Sequence, residues 1–244
     1  MGSIIVNSQN KAYVINGNAL EHPMKLVRYW DGSDNLSNNK WYDRVGGQYW
    51  TLTSSTHGTG YYQFLNSSAT TTSSYGTLNG VLPDLGYHFR IEIDFEIKDQ
   101  SNSTGSNVVV DFGAICQTND NTCACALYTN SSNKWGLNAK LNGNGSGSTY
   151  NITAVSDSGI NASTWVRRKI IFGVRASVET GKDECFAIVQ DVGSGVTTTK
   201  FTPIRMNRWN TSQSSYIARS SIQPASTYPY ASNIRIYSIK IYKE

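Results

Sequence analysis

Three carboxylates stand at alternate positions in "RIEIDFEIKD", residues 90 to 99: Glu92, Asp94 and Glu96. Alternate residues of a β-strand point to the same face, so the three would share one side. Carboxyl pairs on either side of a sugar bond are the working groups of glycoside hydrolysis. The retaining form of that chemistry needs the two carboxyls about 5–5.5 Å apart. The Cα atoms of Glu92 and Glu96 would lie roughly 13 Å apart on a strand, so their side chains would have to lean together. The same spacing also describes a strand with one wet face. Arg90 and Lys98 flank the carboxylates, and Arg167 and Lys169 share one strand face in "WVRRKI". Cross-strand ion pairs among these groups would each contribute about 0.2–1 kcal/mol.

Other residues suit binding. Sugars are held by aromatic platforms with amide and carboxylate hydrogen-bonding groups beside them. Tyr61, Tyr62, Trp209, Asn210, Tyr228 and Tyr230 are the candidates, and each type serves equally well in a core or a subunit contact. The cysteines, Cys116, Cys123, Cys125 and Cys185, match no familiar zinc spacing and read as small buried hydrophobes. Cys123 and Cys125 would face the same way on a strand, with Cys116 opposite them across a hairpin. The three histidines are too scattered in sequence to suggest a ligand set.

The elements that must position these groups are strands. The chain has 244 residues, 16% charged and 39% hydrophobic, with 15 Tyr and 6 Trp. Tyr, Trp, Thr and Ile favour strands, and Gly, Asn and Ser favour the turns between them. No segment holds a helical period, and short strands at regular spacing imply a sandwich or barrel. Residues 3 to 19 read as a small hairpin, and "MKLVRYW" begins the main body. Residues 66 to 80 read as a polar connection, followed by "HFRIEIDFEIKD", the longest clean alternation. In this strand Ile91, Ile93, Phe95 and Ile97 are the core face. In the closing "SNIRIYSIKIYKE", Ile234 and Ile236 share one parity and Ile239 and Ile241 the other. A bulge or bend near Tyr237–Ser238 is needed to turn all four inward.

The net charge is +4, without a basic stripe or a known module, which argues against nucleic-acid binding. No apolar run approaches the ~20 residues of a membrane span, and the first residues lack the pattern of a secretory signal. The expectation is a protein made in a cytoplasm, with its N-x-S/T sequons (Asn66, Asn151 and Asn210 among them) reflecting composition rather than glycosylation.

Three stretches together resemble a laminin-G-like, concanavalin A-like lectin domain of the kind found in bacteriophage structural proteins. The first is "VRYWDGSDNLSNNKWYDRVGGQYWTL", with Trp30, Asp31, Gly32, Asn35, Trp41, Asp43, Gly46 and Gly47 in the pattern. The second is "YHFRIEIDFEIKD" with "VVVDFGAI", and the third is "IARSSIQPASTYPYASNIRIYSIKIYKE". The resemblance covers residues 24 to 244 and implies an all-β, antiparallel two-sheet jelly-roll sandwich. Residues 1 to 23 form a separate hairpin or docking segment in this reading. Several relatives carry a rim calcium, for which Asp31, Asp34 and Asn35 are the matching oxygen donors; these residue types are also ordinary turn formers.

The resemblance implies a non-enzymatic virion protein of the fibre, tail or capsid-decoration type, acting as a homo-oligomer. It would bind host-surface glycans or neighbouring virion subunits, with no nucleic-acid or membrane partner. Two alternatives stand beside it. One is a bacterial carbohydrate-binding or adhesion module. The other is a retaining glycoside hydrolase similar to family sixteen, with Glu92 as nucleophile, Glu96 as acid/base and Asp94 tuning the pair. That family's Trp-rich approach to the strand is missing in "LNGVLPDLGYH". Its later His-x-Tyr strand is replaced by "STWVRRKIIFGV".

Overall fold

The computed structural model describes residues 4–6, 12–16, 19–21, 24–36, 38–66, 74–80, 88–98, 107–111, 116–117, 124–129, 134–142, 149–159, 165–176, 183–192, 197–203, 215–218 and 232–244. Along the chain the strands are β1 (Ile4–Val6), β2 (Ala12–Asn16), β3 (Ala19–Glu21), β4 (Lys25–Asp31), β5 (Lys40–Tyr42), β6 (Tyr49–Thr53) and β7 (Ser55–Gly58). Next come β8 (Tyr61–Asn66), β9 (Tyr75–Leu78), β10 (Phe89–Lys98), β11 (Asn107–Asp111), β12 (Cys116–Gln117), β13 (Ala124–Thr129) and β14 (Lys134–Asn142). The last are β15 (Thr149–Gly159), β16 (Val166–Ala176), β17 (Asp183–Asp191), β18 (Thr197–Pro203), β19 (Ser215–Ile217) and β20 (Ser232–Lys243). No helix occurs among the described residues.

The result is an all-β, two-layer antiparallel sandwich of the jelly-roll type, as the sequence leads one to expect. One layer is an eight-stranded sheet in the order β18-β17-β16-β10-β20-β8-β7, with β4 also paired to β20. A five-stranded sheet, β12-β19-β9-β6-β5, faces it. The layers meet through aromatic rings. Trp30 of the first lies 5.4 Å from Trp50 of the second, centroid to centroid, and Tyr62 lies 4.8 Å from Trp41. A four-stranded sheet, β11-β13-β14-β15, brings β15 beside β17 and β18. β1, β2 and β3 form a small antiparallel meander, one strand more than the expected hairpin.

β10 sits near the middle of the large sheet, between β16 and β20. Its apolar parity is buried: Ile91, Ile93 and Phe95 have no exposed surface. β20 needs a correction of parity to bury its own residues, and it contains one. Asp94 pairs with Ser238 and Phe95 with Ile236, so Tyr237 is an extra residue. The bulge lets Ile234, Ile236, Ile239 and Ile241 all face inward at 0% exposure.

The sequence reading missed several short strands. β9 lies inside the stretch read as a polar connection, where Gly76 and Leu78 are buried and Tyr75 and Thr77 half-buried. Gly76 fits between Ile217 and Leu52, so its missing side chain is what allows the close packing. β12 pairs with β19 and not with β13, so Cys116 does not oppose Cys125 across a hairpin. Cys123 lies outside the described residues. Arg168 is another departure from a simple charged face. It shares the parity of Ile170 and Phe172, is 1% exposed, and donates from Nη1 to the Arg167 carbonyl at 2.9 Å.

Candidate functional site

The face of the large sheet turned away from the core is built from the alternate residues of β10, β16, β20 and β8. Antiparallel register sets its rows. Glu96 lies between Arg167 and Arg235, Asp94 between Lys169 and Ser238, and Glu92 between Ile171 and Lys240. The three carboxylates therefore run down a central spine with cations on both sides.

Each carboxylate is engaged. Arg167 grips Asp94 with two parallel bonds, Nε to Oδ1 at 3.0 Å and Nη2 to Oδ2 at 2.9 Å. This contact runs diagonally across the sheet, within the reach of a long side chain, and it holds the guanidinium pKa above its ordinary value, burial opposing. Glu92 is only 9% exposed and lies 3.0 Å from Lys169 Nζ and 3.1 Å from Arg90 Nε. Arg235 Nη1 donates to Glu96 at 3.2 Å, and its Nε donates to Gln63 at 2.8 Å. Burial and a hydrogen bond donated to Glu96 push the Tyr237 hydroxyl up to about 12, so it stays protonated at neutral pH.

Aromatic rings are interleaved with the cations. Arg235 lies 3.9 Å from the Trp165 ring centroid and 4.7 Å from that of Tyr61. Arg167 lies 4.0 Å over Tyr237, whose ring is 5.4 Å from Tyr61. Arg90 covers Tyr242 at 4.2 Å, and Lys240 covers Tyr29 at 4.9 Å. Such contacts add roughly 0.5–1 kcal/mol each at exposed positions. The Tyr237 bulge carries this arrangement, because the extra residue turns its ring out between Arg167 and Tyr61.

The sequence candidates fall in different places. Glu92, Asp94 and Glu96 share this face. Both glutamates, the proposed nucleophile and acid/base, are held by basic partners. Tyr61 borders the same face. Tyr62 points the other way: it has no exposed surface, its ring stacks on His57 at 4.7 Å, and its hydroxyl donates to the Asp34 carbonyl. Trp209, Asn210, Tyr228 and Tyr230 lie outside the described residues. Trp165 and Arg235 were not singled out from the sequence, and Tyr237 was named as the place of the bulge but not as a site residue. The parity break was the signal for that role too, since a bulge re-aims a side chain.

The loop proposed for calcium is organised around Arg44. Its Nη1 lies 2.8 Å from Asp31 Oδ2, and it bonds Asp34 through Nε at 2.9 Å and Nη2 at 2.6 Å. Asp31 also accepts from the Tyr29 hydroxyl at 2.5 Å and from Ser33 N and Oγ at 2.9 and 2.7 Å. Burial alone would raise the Asp31 pKa, but the Tyr29, Ser33 and Arg44 donors together hold it below the ordinary value. A cation there would have to displace Arg44. Among the described residues no group of three or more His, Cys, Asp or Glu side chains is placed to hold a metal ion, and no helix is long and apolar enough to cross a membrane.

The other motif residues shape the same corner. Asp43 accepts from Tyr29 N at 2.7 Å, Val45 N at 2.9 Å and Gly46 N at 2.7 Å. Gly32 donates its N–H to the Tyr237 carbonyl at 2.6 Å and so ties the loop to the bulge. A Cβ on Gly32 would lie 2.5 Å from the Gly60 carbonyl oxygen and 2.8 Å from that of Tyr237.

No family model matches this chain, and no curated protein matches it. Solved structures do. The CBM2 module of the Lactobacillus casei BL23 phage J-1 evolved Dit aligns with a TM-score of 0.52 at 9% identity, over 90% of this chain and 96% of that one. The endo-β-1,4-glucuronan lyase of the fungus Trichoderma reesei gives the same TM-score, identity and coverages. The alginate lyase Aly36B, as a mutant in complex with alginate trisaccharide, aligns at 0.50 and 14% identity over 90% of this chain and all of that one. The lectin-like jelly-roll fold is shared. At such identities the likeness shows fold alone, and this fold carries both binding modules and enzymes.

Proposed function

We propose that the chain is a non-enzymatic attachment or structural module of a bacteriophage virion, of the fibre, tail or capsid-decoration type. It binds host-surface glycans or neighbouring virion subunits and works as a homo-oligomer, with residues 1 to 23 as a docking segment. The observation that carries this reading is the ion-paired state of Glu92, Asp94 and Glu96, on a fold shared with the CBM2 module of a phage Dit as well as with lyases. A nucleophile has to be free to attack. Lys169 and Arg90 occupy the oxygens of Glu92, and Arg235 occupies Glu96.

The glycosidase alternative makes a different prediction. If Glu92 and Glu96 were catalytic, the protein would release reducing sugar from a β-glucan panel, and Glu92→Gln would abolish it. We expect no release from either protein. For the virion reading, quantitative proteomics of purified particles should find the chain at fixed stoichiometry with the other structural proteins. Its absence from particles would leave the bacterial adhesion module as the better account.

A further inference from the structure

We infer that the outer face of the large sheet binds an acidic polysaccharide, with its carboxylate-bearing sugars laid along β10. This rests on the glycan-binding part of the proposed function and names the class of glycan. Among the described residues, Arg90, Arg167, Lys169, Arg235 and Lys240 share the face with Glu92, Asp94 and Glu96. At the margin, Asp31 and Asp34 are bridged by Arg44. The excess positive charge has identifiable atoms. Lys240 has no carboxylate partner among the described residues; its ammonium rests over Tyr29. Arg167 uses Nε and Nη2 on Asp94, and Arg235 uses Nε and Nη1 on Gln63 and Glu96. That leaves Arg167 Nη1 and Arg235 Nη2 without a hydrogen-bond acceptor among the described residues.

These donors are held ready. Asp94 fixes the Arg167 fork, and the Trp165 and Tyr61 rings fix the plane of Arg235, so little side-chain freedom remains to be lost on binding. Guanidinium groups suit carboxylate geometry in particular. The carboxylates between them select against a denser polyanion. Duplex DNA carries one charge per about 1.7 Å of axis, and Glu92, Asp94 and Glu96 would repel it. A polyuronate spaces its charges with hydroxyl groups, and hydroxyls need acceptors as well as donors. The surface supplies both, beside the aromatic edges of Tyr61, Tyr237 and Trp165.

The full-length chain would be tested by biolayer interferometry on immobilised polygalacturonate, alginate and hyaluronan, each alongside its methyl-esterified form, with dextran and single-stranded DNA in parallel. The expected result is binding to at least one polyuronate, at least tenfold weaker for its ester, and weakening with salt. Lys240→Gln should reduce binding about fivefold, the size of one exposed charge contact. Because Lys240 makes no ion pair among the described residues, this variant should fold, which a thermal melt checks. Lys40→Gln, on the five-stranded sheet, should bind as the unaltered chain does. Equal binding to acid and ester forms, or to dextran, would overturn the inference while leaving glycan binding intact. Stronger binding to DNA, or an unaffected Lys240→Gln, would also overturn it. No retention on any polysaccharide would remove the inference, and silence on a wide neutral glycan array as well would remove the glycan part of the proposed function.

Discussion

Asp43 accepts three backbone N–H bonds inside the turn that follows β5, with Arg28 Nε 3.4 Å away. Its side chain has no exposed surface. Replacing it with alanine strands buried donors, so Asp43→Ala should destabilise the chain by about 3 kcal/mol in urea titration. Gly32→Ala forces a methyl group against two carbonyl oxygens and should cost about 1–3 kcal/mol. Asp31 gives a pH dependence. Its folded pKa is depressed, so its contribution is present above the unfolded value of about 3.9 and is lost as pH falls through the lower folded value. Stability should therefore decline with acidification in that window, and the decline should be shallower in Asp31→Asn than in the parent chain.

β20 shows how one residue organises an element. Without the extra Tyr237, the two halves of the strand cannot both face the core, because a shift of one residue reverses every side chain. Deleting Tyr237 would turn one pair of isoleucines outward, each worth about 1.5–3 kcal/mol when buried. Tyr237→Ala keeps the bulge and loses the ring contacts with Arg167 and Tyr61 and the hydroxyl's bond to Glu96. Denaturation midpoints should therefore separate the two variants widely, with the deletion far the less stable. Equal midpoints would mean that the bulge has no part in the register.

For the whole molecule, the proposal that residues 1 to 23 are a separate docking segment makes its own prediction. Among the described residues the three short N-terminal strands hydrogen-bond with one another, while β4 joins the main sheet through β20. A chain beginning at residue 24 should keep the cooperative melt of the sandwich and lose self-association or particle docking, as followed by light scattering. A truncated chain that fails to fold would make the small sheet part of the body. The large outer face belongs to this scale too, since β10, β16, β20 and β8 are brought together from distant parts of the chain.

The sequence by itself determined the fold class, the central strand and the need for a bulge. These follow from local physics: side-chain alternation of period two, β-favouring composition and turn residues. Even the position of the bulge was legible, because a broken parity in β20 has few other solutions. Short strands such as β9 and β19 were not legible, since three or four residues carry too little pattern and gain strand geometry only from their neighbours. The surroundings of Glu92, Asp94 and Glu96 were set by tertiary structure. Their spacing allowed a catalytic pair or a wet face; register then set Lys169, Arg167 and Arg235 against them. The burial of Tyr62, the bridging of Asp31 and Asp34 by Arg44, and the placing of Arg235 against Trp165 and Tyr61 have the same origin. Each depends on residues far apart in sequence, and only the pairing of strands brings such residues within reach.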